Sequence, residues 1–187
     1  MLTIATEPFA HLAEEAAKLA AAHWDEVEAT LHGPQHYTLD NERYASLERL
    51  GMLHISAARG RAADDLNDAA DAAGATAPLA GYAAFCVVAC PHRPQTLMAA
   101  LDGLYLAPWA RGGLFALRLL RHAEAALAAR GVGIMQYSSP ASRPCHALYR
   151  RLGAHPTETI WNKILPLQPR AATASAAYGA ESVKEDK

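Results

Sequence analysis

An arginine and two glycines join two apolar segments in the stretch LYLAPWARGGLFALRLL, residues 104–120. The first segment is strand-like as far as Pro108, and a helix-like pattern extends from Gly113 to Arg130. Glycines leave backbone N–H groups uncovered, and the first amides of a helix attract anions because they lack partners. The guanidinium of Arg111 suits phosphate oxygens. The corner therefore indicates either a diphosphate site or a tight strand-to-helix connection. A Walker-type loop is excluded, because no Gly-Lys-Ser/Thr follows.

A carboxylate precedes this corner in the same apolar run. Asp102 is the lone charged residue of TLMAALDGLYLA, and period-two alternation predicts that it shares one face with Leu104 and Leu106. Burial would raise the pKa of Asp102 and help it accept a proton near neutral pH. The alternative is a carboxylate that satisfies backbone groups or caps the end of the strand.

Three cysteines are too few for a disulfide framework and are typical of a reducing cytoplasm. Cys86 and Cys90 would share one face of a strand, with His92 just beyond them. A metal site is conceivable there, but buried structural thiols are the favoured interpretation. We therefore expect no metal.

Hydrophobic periodicity predicts the elements that position these residues. Nearly continuous apolar strands indicate a sheet with both faces covered, and hence an α+β sheet sandwiched by helices. Asn41 is predicted to cap the second helix, and Gly51 and Gly131 to end two helices. The predicted order is a short opening strand, helices over 8–31 and 41–51, strands over 52–59, 78–90 and 96–107, a helix over 113–130, a strand over 132–139, a helix over 141–153 and a strand over 155–165.

The length of 187 residues suits one domain, predicted over 1–166, with a surface loop insertion at 60–77 and a disordered tail at 167–187. The formal net charge of −2 argues against nucleic acid and anionic membranes as partners. The N-terminal residues lack the features of a signal peptide, and the longest apolar run is too short to span a bilayer. We expect a soluble, cytoplasmic protein.

The stretch LDGLYLAPWARGGLFALRLLRHAEAALAARGV resembles the core motif of the GNAT superfamily of acetyltransferases. That motif is a hydrophobic strand, a Pro-x-x-Arg corner with Arg/Gln-x-x-Gly-x-Gly/Ala, and a long helix. Arg111 matches its first position and Ala116 its last. Leu114 stands where the middle glycine belongs, and Gly112 and Gly113 lie one and two positions earlier.

The resemblance extends over roughly residues 12–165. The RGGL corner and the N-terminal helices resemble those of phage-type GNAT proteins. The resemblance implies a mixed, mostly antiparallel β-sheet flanked by about four helices. It also implies acetyl-CoA as co-substrate, since acetyl-CoA is the family's acyl donor.

The resemblance further implies which residues bind this donor. Backbone amides of Leu104, Tyr105 and Leu106 would hold the thioester carbonyl, because fixed amides stabilise charge that develops on the oxygen. Asp102 stands where many GNAT enzymes carry a glutamate base, and its shorter side chain would need a bridging water. The diphosphate would be bound by the corner residues Arg111, Gly112, Gly113, Leu114, Phe115 and Ala116.

A second family pattern, Asn-x-x-Ala-x-x-x-Tyr-x-x-x-Gly, is matched by Tyr149 and Gly153. The resemblance implies that the Tyr149 phenol protonates the departing thiolate. The alternative is an aromatic side chain that packs a short amphipathic helix onto the sheet. Ser142 replaces the asparagine of the pattern and Cys145 its alanine; a serine can still hydrogen-bond to pantetheine.

These observations predict a GNAT-type N-acetyltransferase that moves an acetyl group directly from acetyl-CoA to a primary amine of a small molecule or protein. The alternative is a catalytically weak acyl-CoA-binding regulatory or interaction module. The changes at Leu114 and Ser142 and the short side chain of Asp102 favour the module, whereas the presence of both Tyr149 and Asp102 favours the enzyme. The sequence does not name the amine acceptor. Pairing of two copies into a homodimer through the final strand is compatible with the pattern.

Overall fold

The structure is a computed structural model that describes residues 2–29, 37–62, 76–90, 92–93, 95–163 and 165. Most of the predicted loop at 60–77 and the whole predicted tail at 167–187 lie outside the described residues. The predicted limits of the domain therefore stay predictions.

Five strands form one sheet in the order β1-β2-β3-β4-β5. The first three neighbouring pairs are antiparallel, whereas β4 and β5 are parallel. This confirms the predicted mixed, mostly antiparallel sheet and the short opening strand. The strands are β1 (Thr3–Thr6), β2 (Leu53–Arg59), β3 (Leu79–Ala89), β4 (Leu97–Leu106) and β5 (Val132–Gln136).

Helices cover both faces of this sheet. The first helix packs on one face through Phe9 and Leu12, and the second joins it there through Leu47. The long third helix packs on the other face through Leu119 and Leu120. Along the described chain the α-helices are α1 (Phe9–His23), α2 (Asn41–Arg49), α3 (Phe115–Ala129) and α4 (His146–Arg151), with a π-helical turn at Trp24–Glu28 and a 3₁₀ turn at Pro108–Ala110.

The helix ends follow the sequence signals with one exception. Gly51 and Gly131 have φ angles of 69° and 86° just after α2 and α3, as predicted. Asn41 was predicted to cap α2, but the cap is Asp40, whose carboxylate accepts a hydrogen bond from the Arg43 amide at 2.9 Å. Asn41 is the first helical residue. The prediction was wrong by one position because both residue types make good caps.

The predicted strand over 155–165 is wrong. Residues 155–163 and 165 form no regular element, and their side chains are exposed, with Trp161 89% exposed. Alternation of polar and apolar residues suggested a strand, but a strand needs a neighbour for its hydrogen bonds. Within the described residues, β5 has only β4 beside it.

A buried polar cluster lies between β2 and α3. The Ser56 hydroxyl is 2.9 Å from His54 Nε2 and 3.0 Å from His122 Nδ1. Burial, together with the nearby Arg130 and His122, lowers the pKa of His54 to about 4. His54 is therefore uncharged in the folded protein at neutral pH.

We expect the free energy of unfolding to fall as the pH is lowered from 6.5 towards 4. In that window the unfolded chain carries a proton on His54 that the folded chain does not bind, so acid favours unfolding. The loss between about pH 7 and about pH 5 is about 2 kcal/mol. Urea denaturation at several pH values measures it.

A matched pair of variants separates this effect from general acid sensitivity. His54→Gln removes the buried imidazole and should flatten the dependence on pH, whereas His146→Gln, at an exposed position, should leave it unchanged. Equal pH dependence in both variants would contradict the assignment to His54.

Candidate functional site

Strand β4 has an open edge beyond Ala100. The parallel pairing with β5 ends at Ala100↔Gln136, whereas the pairing with β3 continues to Leu106. Strands β4 and β5 therefore separate towards the carboxyl end of β4. The groove between them exposes backbone groups of β4 that no strand of the described chain pairs.

The backbone bonds of β4 show which amides face this edge. The Ala107 amide donates to Ala80 of β3 at 2.8 Å, so the Tyr105 amide also points towards β3. The amides of Leu104 and Leu106 point the other way, into the groove. The Leu106 carbonyl oxygen accepts a hydrogen bond from Arg111 Nε at 2.8 Å, which also indicates that the backbone of Leu106 faces away from β3. Of the three amides predicted to hold a carbonyl, two thus face the groove.

A β-bulge at Asp102 interrupts the alternation of β4. Gly103 pairs with Ala84 and Leu101 pairs with Phe85, so Asp102 is an extra residue without an opposite partner. Because a bulge inserts one residue, the side-chain alternation after it is shifted by one position relative to the alternation before it.

The bulge overturns the predicted placement of Asp102. Leu104 and Leu106 pack in the core against α3, whereas the Asp102 carboxylate lies on the opposite face and accepts a hydrogen bond from Tyr44 Oη at 2.6 Å. The side chain is also exposed rather than buried. Both the shared face and the burial expected from the sequence were wrong, because alternation does not anticipate an inserted residue.

Two cavities meet at this bulge. The smaller, of about 70 Å³, lies in the groove between β4 and β5, and the larger, of about 190 Å³, lies between α1, α2 and the sheet. Tyr149, Leu104 and Cys145 line the smaller cavity. The wall common to both cavities consists of His23, Glu28, Asp102 and Gly103.

Tyr149 presents a protonated phenol to the smaller cavity. Its hydroxyl donates to the Ser138 carbonyl oxygen at 2.6 Å, and its ring stacks on Tyr137 with 4.9 Å between centroids. Burial raises the pKa of Tyr149, and the neighbouring Cys145 raises it further. The phenol is therefore a proton donor at neutral pH, in the same cavity as the predicted Asp102.

The glycine corner presents unpaired amides. Gly112 and Gly113 have φ angles of 109° and 55°, and α3 begins at Phe115 without a side-chain cap. No backbone amide from 112 to 117 donates to an acceptor within the described residues. An ideal Cβ on either glycine meets no atom within 4 Å, so the space before these amides is open. The side chain of Leu114 is exposed and leaves the amides uncovered.

The guanidinium of Arg111 is already paired, so an incoming anion would have to displace its partner. Its two terminal nitrogens donate to the Glu26 carboxylate at 2.7 and 2.6 Å, and its carbon lies 5.1 Å from the centre of the Tyr105 ring. Arg143 pairs with the same carboxylate. An anion at the corner would therefore compete with Glu26 for Arg111.

The remaining predicted residues lie in different surroundings. Phe115 and Ala116 are half-buried in the first turn of α3. The Tyr105 ring is buried, with 5.2 Å between its centre and that of the His23 ring. Ser142 lies on an exposed turn and lines neither cavity. The roles predicted for these residues stay predictions.

His23 was not among the site residues predicted from the sequence. The π-helical turn that follows α1 brings Glu28 Oε1 within 3.6 Å of His23 Nε2. On its other side, His23 Nδ1 is 3.0 Å from Tyr82 Oη. Burial lowers the pKa of His23, although the carboxylates of Glu28 and Asp102 oppose this. Nothing in the one-dimensional pattern distinguishes this histidine from a packed one.

Two further findings bear on the class of site. No three His, Cys, Asp or Glu side chains of the described residues gather where they could hold a metal ion. Over that same part of the chain, every helix is too short or too polar to cross a bilayer.

Known structures share the fold of this chain, although no protein-family model and no curated protein matches its sequence. The ribosomal-protein-alanine N-acetyltransferase from Brucella melitensis biovar Abortus 2308 is 16% identical, with a TM-score of 0.61 over 88% of this chain and 99% of that one. Glucosamine-6-phosphate N-acetyltransferase from Arabidopsis thaliana is 8% identical, with a TM-score of 0.63 over 89% and 99%. A predicted acetyltransferase from Clostridium acetobutylicum, determined with acetyl-CoA, is 13% identical, with a TM-score of 0.60 over 88% and 96%.

Proposed function

We propose, because this chain has the GNAT acetyltransferase fold, that it is an acyl-CoA-dependent N-acetyltransferase. It moves an acetyl group from acetyl-CoA to a primary amine of a small molecule or protein by direct transfer. The observation that carries the proposal is the open edge of β4, where unpaired amides, the Asp102 carboxylate and the Tyr149 phenol border one cavity. The cytoplasmic location and the phage-type resemblance stay predictions.

The donor fits backbone groups that have no partner among the described residues. Diphosphate oxygens accept hydrogen bonds, and the amides of 112–117 are donors at the positive end of a helix dipole. The Leu106 amide, on the same open edge, is placed for the pantetheine arm. The Leu104 amide borders the cavity of Tyr149 and is the donor for the thioester carbonyl oxygen.

The reaction requires two proton movements, and each has a group on this chain. Before either movement, the bound ammonium gives one proton to solvent, and the neutral amine nitrogen then forms a bond to the carbonyl carbon while the carbon–sulfur bond breaks. Asp102 accepts the proton that the nitrogen loses, through a water molecule because its carboxylate is exposed. Tyr149 gives its proton to the departing sulfur and recovers one from solvent.

The second candidate function, acyl-CoA binding without turnover, is favoured by the ion pair that occupies Arg111. Release of free thiol from acetyl-CoA across a panel of primary amines, combined with calorimetry of coenzyme A binding, distinguishes the two. Amine-dependent thiol release together with formation of the acetylated amine supports the enzyme. Binding without any release supports the module, and neither binding nor release overturns both.

Replacing Glu26 with glutamine is expected to tighten coenzyme A binding about 5-fold. The substitution removes a negative charge that competes with the diphosphate for Arg111, and a solvated ion pair of this kind contributes up to about 1 kcal/mol. Isothermal titration calorimetry measures the change. Glu42→Gln, an exposed carboxylate of α2, is the control and should have no effect. Weaker binding in Glu26→Gln would show that the pair instead holds the corner in its binding geometry.

A further inference from the structure

We propose that the larger cavity, between α1, α2 and the sheet, is the acceptor site for a small primary amine carried on an apolar body without an acidic group. This inference rests on the proposed function and gives it a substrate class.

The walls of the larger cavity are mostly apolar. Phe9, Leu12, Ile55 and Leu79 are buried core residues that also line it. A sugar or a peptide backbone would leave its polar groups unpaired against such walls, which is costly. An aliphatic or aromatic body loses only contact with water and gains free energy on entering. The walls therefore select for a hydrocarbon body.

The charges at one end of the cavity are negative. Glu28 and Asp102 stand at the wall shared with the smaller cavity. No lysine or arginine is among the described residues that line the larger cavity, whereas Arg143 lines the smaller one. His23, the remaining titratable base, is uncharged at neutral pH because burial lowers its pKa. Two carboxylates favour an ammonium group and disfavour a carboxylate or phosphate on the ligand.

Aromatic groups and one unpaired hydroxyl complete the site. The Tyr37 hydroxyl is buried in the cavity lining and has no hydrogen-bond partner among the described residues. Trp24 packs against Tyr37 with 5.8 Å between ring centroids, and the faces of such rings attract cations. Tyr44 donates to Asp102 and so orients the carboxylate. A buried hydroxyl without a partner is costly, and a polar atom on a ligand would satisfy it.

The size and position of the cavity define how the amine would lie. Its volume of about 190 Å³ is below the range of about 300–1,000 Å³ typical of drug-sized ligands, so a ligand of about ten non-hydrogen atoms fits. With the ammonium at Glu28 and Asp102, the nitrogen stands at the wall beyond which Leu104 and Tyr149 lie. The apolar body then fills the interior.

Equilibrium binding without acetyl-CoA tests the cavity directly. The probes are 2-phenylethylamine, its neutral counterpart 2-phenylethanol, and phenylalanine, which adds a carboxylate to the same amine. Calorimetry is expected to show 2-phenylethylamine binding at least about 10-fold more tightly than either of the others. Equal binding of all three, or preference for phenylalanine, would overturn the proposal.

Variants of cavity residues test whether 2-phenylethylamine binds in the larger cavity. Ala16→Leu fills the cavity from α1 and should weaken 2-phenylethylamine binding at least about 10-fold, while Ala10→Leu, exposed on the same helix, should not. Tyr37→Phe removes only the unpaired hydroxyl, and Glu28→Gln should reduce the preference for the amine over the alcohol about 5-fold. Coenzyme A affinity should remain unchanged in Ala16→Leu and Tyr37→Phe, because both residues line the larger cavity and not the smaller one. Binding unaffected by all three cavity variants would overturn the assignment.

The outcomes separate this proposal from the proposed function. Binding of 2-phenylethylamine in the cavity without thiol release from acetyl-CoA would support the amine site and overturn the acetyltransferase. Thiol release with polar or acidic amines, unaffected by Ala16→Leu, would support the acetyltransferase and overturn the amine site.

Discussion

Replacing Tyr149 with phenylalanine is expected to lower kcat for acetyl transfer about 100-fold, because general acids of this kind contribute about 10²- to 10⁴-fold. Without the phenol, the sulfur leaves as an unprotonated thiolate. Burial raises the pKa of Tyr149, so at neutral pH the wild-type group carries the proton that it donates to the sulfur. The ring and its stacking on Tyr137 persist in the variant, so the fold should tolerate the change. Thiol release at saturating acetyl-CoA measures kcat.

The control for this variant is Tyr137→Phe. Tyr137 stacks on Tyr149, but its own hydroxyl donates to Glu124 and lies outside both cavities. Its removal should leave kcat within about 2-fold, and coenzyme A affinity should be unchanged in both variants. Equal rates in Tyr149→Phe and the wild-type protein would show that Tyr149 only packs α4 onto the sheet.

Deleting the backbone N–H of Leu104 is expected to lower kcat about 100-fold as well, since one donor to a developing oxyanion contributes about 10²- to 10³-fold. Incorporating the α-hydroxy acid counterpart of leucine at position 104 makes an ester that lacks this N–H but keeps the side chain. The Leu104 amide faces the open edge of β4, so no bond to β3 is lost.

The matched control is the same ester at Tyr105, whose amide faces β3. There the change removes a bond of the sheet and should lower the free energy of unfolding by about 1 kcal/mol, with kcat nearly unchanged. Chemical denaturation and thiol release on both proteins give the comparison. If the two esters have equal effects on kcat, the Leu104 amide is not the donor.

The framework of this fold was predictable because its elements carry strong periodic signals. The apolar runs of β3 and β4 and the apolar face of α3 are long. Gly51 and Gly131 follow two helices at positions with a positive φ angle, which glycine adopts more easily than other residues. The unpaired amides of the glycine corner were likewise predictable, because they depend on the types of a few residues that are adjacent in the sequence.

The predictions from sequence were wrong or incomplete where the structure depends on residues far apart in the chain or on one inserted residue. A single extra position at Asp102 reversed the face of its side chain, which no alternation rule anticipates. The pairing of Arg111 with Glu26 joins residues far apart in the chain. The segment over 155–163 has a strand-like pattern but lacks a described neighbour, because pairing is a property of the sheet and not of the segment.

The two cavities share one wall, formed by His23, Glu28, Asp102 and Gly103. This shared wall also constrains the order in which the substrates bind and react. If one cavity receives the acyl donor and the other the acceptor, the two compounds are held side by side before any bond changes, and the acyl group never rests on the protein. Double-reciprocal plots of the initial rate would then intersect, as they do for a ternary complex, instead of running parallel as in a substituted-enzyme pathway.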